Sequence, residues 1–149
     1  MANMKEKLSS DLRNAQKSRD SLKTDTLRLL LSEIKNKEID LRREIENEEI
    51  ISILVTQIKK RKEAASIYEE NGRKDFSKKE LKESSFLESY LPEQVGEEEL
   101  KKRIQEILVD IGAQSPRDMG KVMKIVIPEF KGKADGAIIK DLVSELLGK

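Results

Sequence analysis

Residues 115–147 read SPRDMGKVMKIVIPEFKGKADGAIIKDLVSELL, and almost every position in that stretch has a helical use. Ser115 is placed to cap a helix, Pro116 suits its first position, and Asp118 adds an acid to its first turn. Met119, Val122, Met123 and Val126 recur at spacings of three and four, which gives one apolar face. Pro128 should end or kink that helix near Ile127, leaving Phe130 to cover the end. Beyond Lys131-Gly132-Lys133, Asp135 can cap a last helix carrying Ile138, Ile139, Leu142, Val143, Leu146 and Leu147. Upstream, Leu100, Ile104, Ile107, Leu108 and Ile111 share a face that stops at Gly112. Residues 93–149 therefore read as a small three-helix domain.

The same periodicity runs through residues 1–92. Met4, Leu8, Leu12 and Ala15 mark a short amphipathic helix ending near Ser18 to Asp20. Leu27, Leu31, Ile34, Leu41 and Ile45 mark a second, with Glu38 standing where an apolar residue is expected. Asn47 reads as the cap of a third helix, with Glu48 and Glu49 in its first turn. Its stripe is Ile51, Val55, Ile58, Lys62 and Ala65, and it ends at Asn71-Gly72. A fourth, about 75–90, carries Phe76, Leu81, Leu87 and Tyr90 and closes at Leu91-Pro92, because the residue before proline disfavours the helical region. Pro92 to Gly96 is the best linker. The expected fold is all-α, an N-terminal helical bundle (1–92) followed by a three-helix domain (93–149).

Composition agrees. Ala, Glu, Lys, Leu and Arg supply about half of the 149 residues, the usage of long solvated helices. Hydrophobic residues make up 36% and charged residues 40%, so the core must come from narrow stripes. With no Cys and no His, thiol nucleophiles, disulfides, iron–sulfur clusters, Ser-His-Asp triads and Cys/His zinc sites are excluded. Apolar runs are short, as in Leu29-Leu30-Leu31, and no signal-peptide core is visible, so the expectation is a soluble cytoplasmic protein without a membrane partner. The net charge of +1 leaves local clustering as the only source of affinity for a polyanion.

The sharpest cluster is Arg117, Lys121 and Lys124, which fall in one row opposite the apolar face at about 100° per residue. Lys131 and Lys133 follow, so five bases stand against Asp118 and Glu129 between 117 and 133. That pattern suits a phosphate backbone, and Gly120 would let a ligand backbone approach closely. An ordinary solvated lysine face, with Gly120 serving helix packing, is the competing reading. Gly132-Lys133-Ala134-Asp135-Gly136 looks like a phosphate loop but lacks the spacing and the preceding strand, and an Asp at the cap would repel an anion. Lys59-Lys60-Arg61-Lys62 spreads around its helix. If helices two and three form an antiparallel hairpin, Glu38 and Lys62 lie about a turn apart and should pair, fixing register. No spacing of carboxylates singles out a catalytic pair or a metal site, and no cofactor is expected.

Several ordered strings carry a resemblance: Lys60-Arg61-Lys62, Gly72-Arg73-Lys74-Asp75, Tyr90-Leu91-Pro92-Glu93-Gln94, Asp118-Met119-Gly120-Lys121-Val122-Met123 and Gly132-Lys133-Ala134-Asp135-Gly136. Together they resemble the GatB/YqeY family, in its free-standing YqeY-like form, over nearly the whole chain. The resemblance implies an N-terminal helical bundle joined to a small three-helix domain. That small domain is also the tail of the B subunit of the glutamine-dependent aminoacyl-tRNA amidotransferase, where it is implicated in holding tRNA. Two positions depart: Val95 stands where the family more often has Leu, and Ala137 where a basic residue is expected, which narrows the basic patch.

The resemblance implies tRNA association, with the transamidation chemistry residing in other domains. The first expectation is thus a non-catalytic tRNA-associated protein that uses the 117–133 surface. The second is an adaptor docking on an aminoacyl-tRNA synthetase or amidotransferase through the N-terminal bundle. A component of glutamine-dependent amide transfer, a carbon–nitrogen ligase, comes third, because function belongs to sites and not to folds.

Overall fold

A computed structural model describes residues 3–148. It holds seven α-helices and, among the described residues, no strand: α1 (Met4–Lys17), α2 (Ser21–Leu41), α3 (Asn47–Glu70), α4 (Lys74–Glu88), α5 (Glu97–Ile111), α6 (Met119–Glu129) and α7 (Gly136–Leu146). A 3-10 turn, Pro116–Asp118, leads into α6. The packing divides the chain between Leu91 and Pro92 into two compact units.

In the first unit α1 packs on α2, α3 packs on α4, and α2 touches both α3 and α4. Lys5, early in α1, pairs with Glu38, late in α2, so these helices run antiparallel. Leu8, Leu27, Leu30, Ile34, Ile50, Leu54, Ile58 and Leu87 form the apolar core. Local chemistry sets the helix ends. Asp20 Oδ1 accepts the amide of Lys23, and Glu46 and Glu49 form a reciprocal capping box at the start of α3. The cap of α3 is thus Glu46 and not Asn47, whose Oδ1 instead accepts the backbone amide of Met4 at 3.1 Å.

Two faces are rotated from the sequence-based expectation. Helix α3 buries Ile50, Leu54, Gln57, Ile58 and Ala65, while Val55 is exposed. Apolar residues occur in adjacent pairs at 50/51 and 54/55, so two stripes one residue apart, about 100° around the helix, satisfy the same spacing. The realised stripe is interrupted by Arg61, whose guanidinium is turned inward to Glu83 and Glu80 of α4. On α4, Phe76 and Leu81 lie largely exposed instead of forming a face, since five residues is not a helical repeat. The buried side chains there are Ser77, Glu83, Ser84 and Leu87. Small residues at 77 and 84 suit the close contact of α3 with α4, in which Tyr68 also packs on Phe76 with ring centroids 5.3 Å apart.

The expected pair of Glu38 and Lys62 does not form. Both oxygens of Glu38 take the ammonium of Lys5, at 2.8 and 3.0 Å, and Oε2 also accepts the amide of Ile45 at 3.0 Å. Lys62 is exposed and pairs with Glu88 of α4 at 3.0 Å. The rotation of α3 that brings Arg61 inward swings Lys62 away from α2.

The second unit has a wholly apolar core: Leu100, Ile104 and Ile107 from α5, Val122 and Val126 from α6, and Ile139, Leu142 and Val143 from α7, with Phe130 beneath the turn after α6. Gly112, at φ 68°, closes α5 in the left-handed conformation expected of a terminal glycine. Helix α6 runs through Pro128 to Glu129 and does not stop at Ile127. Proline so near the end removes one backbone bond and leaves the amide of Phe130 free to reach Val126 at 3.1 Å. Residues 94 and 95, expected as linker, belong to this unit. Gln94 Nε2 donates to the Gly132 carbonyl at 2.6 Å, and the Val95 amide donates to the Lys133 carbonyl at 2.9 Å.

Candidate nucleic-acid interface

The turn into α6 is built by its own caps. The carboxylate of Asp118 accepts the amides of Gln114 and Ser115, at 3.0 and 3.4 Å, and these bonds hold its pKa below the ordinary value. Ser115 reciprocates within the capping box. Tightening of this turn to 3-10 means that Arg117 precedes the α-helix instead of sitting on its ladder, so only Lys121 and Lys124 of the expected row are strictly α-helical. Val122 and Val126 are fully buried and fix the outward direction of the opposite face.

Arg117, Lys121, Lys124, Lys131 and Lys133 are all exposed, and among the described residues none makes an ion pair. The two acids in this segment are committed elsewhere. Asp118 is spent on backbone amides, and Glu129 is gripped by both sides of the Arg103 guanidinium of α5, at 2.7 and 3.0 Å. That bidentate contact lowers the pKa of Glu129, with a smaller contribution from Lys133. Arg103 thus neutralises Glu129, while Asp118 stays ionised and acts on Lys121.

Gly120 adds a second clue. It is exposed, and a Cβ built on it would meet nothing within 4 Å. Glycine in a helix is about 1 kcal/mol worse than alanine, and no packing within the protein compensates for it, which removes the expected packing role.

The glycine loop serves the fold. Gly132 is buried at φ 77°, a backbone conformation that side chains disfavour, and its carbonyl and that of Lys133 receive Gln94 and Val95. Asp135 Oδ1 accepts the amide of Ala137 at 2.8 Å, so the start of α7 already holds an anion. Two of the ordered strings, Gln94-Val95 and Gly132-Lys133, thus meet in space as a clip. Sequence reasoning missed that clip and the Arg61–Glu83 contact. The latter was legible only as the position that completes a stripe of 50, 54, 58, 61 and 65.

The profile of the Yqey-like protein family matches residues 5–147. Among similar proteins, Altered inheritance of mitochondria protein 41, mitochondrial, of Kluyveromyces lactis is 31% identical, across 95% of this chain and 80% of its own length. The protein of the same name from Clavispora lusitaniae is 28% identical, across 93% of this chain and 84% of its own. That from Vanderwaltozyma polyspora is 38% identical over a shorter segment, 56% of this chain and 46% of its own. Among the described residues no helix is long and apolar enough to cross a membrane. With a family match spanning both helical units and the motifs that cap and clip them, this chain belongs to the YqeY-like family.

Proposed function

We propose that this protein is a non-catalytic RNA-associated module that holds the backbone of a folded tRNA against the outward face of α6. The observation that carries this reading is the commitment of Asp118 and Glu129 to internal partners, which leaves five cations between residues 117 and 133 facing solvent without ion pairs. Gly120 supports it, because an exposed glycine without internal contacts costs helix stability and leaves room for a close-approaching backbone. Binding of this kind is driven by counterion release and reads shape more than sequence. It needs a compartment that contains tRNA, the cytoplasm or, as the names of its relatives state for them, the mitochondrion.

The test is titration of a tRNA transcript over a range of salt. Reversal of Lys121→Glu with Lys124→Glu should weaken binding and lower the salt slope by roughly 1.5, at 0.7–0.9 per lost phosphate contact. Lys102→Glu with Lys140→Glu makes the same charge change at exposed positions of α5 and α7 and should have little effect. Equal losses from both pairs, or no binding at low salt, would sink the reading. A stable complex with a synthetase or amidotransferase that survives ribonuclease would support an adaptor instead.

A further inference from the structure

The outward face of α4 carries a second run of cations. Lys74, Lys78 and Lys82 stand at i, i+4 and i+8, on one side of the helix and about 6 Å apart along its axis. All three are exposed, and among the described residues none makes an ion pair or a side-chain hydrogen bond. Lys79 lies beside them, and Arg73 caps the row from above the ring of Phe76, at 5.8 Å. Elsewhere in this unit Lys5, Lys7, Arg43, Arg61 and Lys62 are paired with carboxylates, and other exposed cations such as Lys35 and Lys37 stand without a one-turn spacing between them.

Asp75 shares the first turn and Lys79 favours the ionised form of Glu83, but the row of Lys74, Lys78 and Lys82 has no such partner at ion-pair distance among the described residues. Like charges four residues apart on a helix repel, and cations near a helix N-terminus oppose its dipole. Helix α4 concentrates its bases in its first nine residues, has none in its last turn, and lacks a side-chain cap at Arg73. Its own stability is lowered to keep an unpaired cationic row facing outward.

We propose that this face of α4 is a second phosphate-backbone contact, through which the N-terminal unit binds structured RNA. A spacing of one helical turn between ammonium groups is comparable to the separation of adjacent phosphates along a strand. A membrane surface fits less well, because an interfacial helix inserts its apolar face. Here Leu87 is committed to the core, and the exposed Phe76 and Leu81 lie about 140° apart around α4 and form no continuous apolar face. The surface stands on its own residues and does not require α6 to bind RNA.

The experiment compares the full chain with a Lys74→Glu, Lys78→Glu, Lys82→Glu variant in binding to a tRNA transcript across salt. The expected result is a weaker complex whose salt slope falls by about 2. The same substitutions place acids toward the helix N-terminus, which its dipole favours, while the three acids repel one another much as the lysines did, so thermal stability should stay about level. Loss of binding therefore cannot be blamed on unfolding. An unchanged slope overturns the proposal, as does equal loss from a control reversal of Lys35 and Lys37 on α2. If the α4 variant loses binding while Lys121→Glu with Lys124→Glu does not, this proposal stands and the α6 reading falls. The opposite result removes α4 and keeps α6. Binding to phosphatidylserine vesicles with a slope greater than for RNA would assign the face to a membrane and also overturn it.

Discussion

The two units solve the problem of a charge-rich sequence in opposite ways. The C-terminal unit keeps every charge out of a core of aliphatic side chains and Phe130. The N-terminal unit carries ions and polar groups into its helices: Arg61 on Glu83 and Glu80, with Gln57 of α3, Ser84 of α4 and Thr26 of α2 also buried. Gln57 Oε1 and Thr26 Oγ1 have no hydrogen-bond partner. Helix α4 gives the core only one buried apolar side chain, Leu87. A buried ion pair adds little net stability compared with apolar packing, yet is expensive to break, so the first unit should be the more sensitive to loss of a single partner.

The largest effect should follow Arg61→Ala, which leaves Glu83 buried and unpaired and should destabilise the first unit by about 4 kcal/mol in chemical denaturation. An Arg61→Leu, Glu83→Leu double variant should recover most of that loss. Additive losses would show that the two side chains do not act as a pair. In the second unit Ile104→Ala should cost about 3 kcal/mol by opening a cavity. We expect that cost to appear only in the fragment beginning near Pro92, released by limited proteolysis between Leu91 and Glu93. A single resistant core across residues 91–100, or one shared transition, would mean that the chain behaves as one folding domain.

A smaller effect separates Glu83 of the first unit from the down-shifted acids, which include Glu38 and Glu49 of the same unit, by pH. Burial raises the carboxyl of Glu83 above the ordinary value, with Arg61 opposing it, so the folded state binds that proton more tightly than the unfolded chain. Its contribution to stability therefore grows as pH falls through the raised pKa toward the ordinary value. Wild type should gain stability relative to Glu83→Gln on mild acidification. In the second unit Asp118 and Glu129 are shifted down, so their contribution is present above the ordinary carboxylate range and is lost as pH falls through the lowered values. Denaturation curves of Asp118→Asn should show that opposite sign, and a shared sign would break the comparison.

The smallest change is the most telling for function. Gly120→Ala should raise the stability of the second unit by up to about 1 kcal/mol, since a Cβ there meets nothing. If α6 carries RNA, the same substitution should weaken binding. Stability without loss of affinity would leave the glycine without a role in contact.

Helix ends were legible because they are local. Asp20, Ser115 with Asp118, Gly112, Asn71-Gly72 and Asp135 each act within a few residues of where they stand. The facing of α3 and α4 was not, because α3 offers two apolar stripes and only the acids of α4 choose between them. The contact of α3 with α4 was hidden for a related reason. Ser77 and Ser84 look like surface residues until a helix carrying Arg61 and Tyr68 lies against them. The α6 cations were visible as a spacing, whereas the neutralisation of Glu129 was not, since Arg103 is 26 residues away.

The clip between Gln94-Val95 and Gly132-Lys133 also sets an order of events during synthesis. The two ends of the clip are 38 residues apart in the chain, and the emerging N-terminal side has nothing to bind until the loop after α6 has left the ribosome. Helices α5 and α6 are then already available, but the segment that leads into α5 still lacks its tether. The unit becomes whole only when nearly all of its own sequence is exposed, so its folding waits for the loop after α6 to emerge.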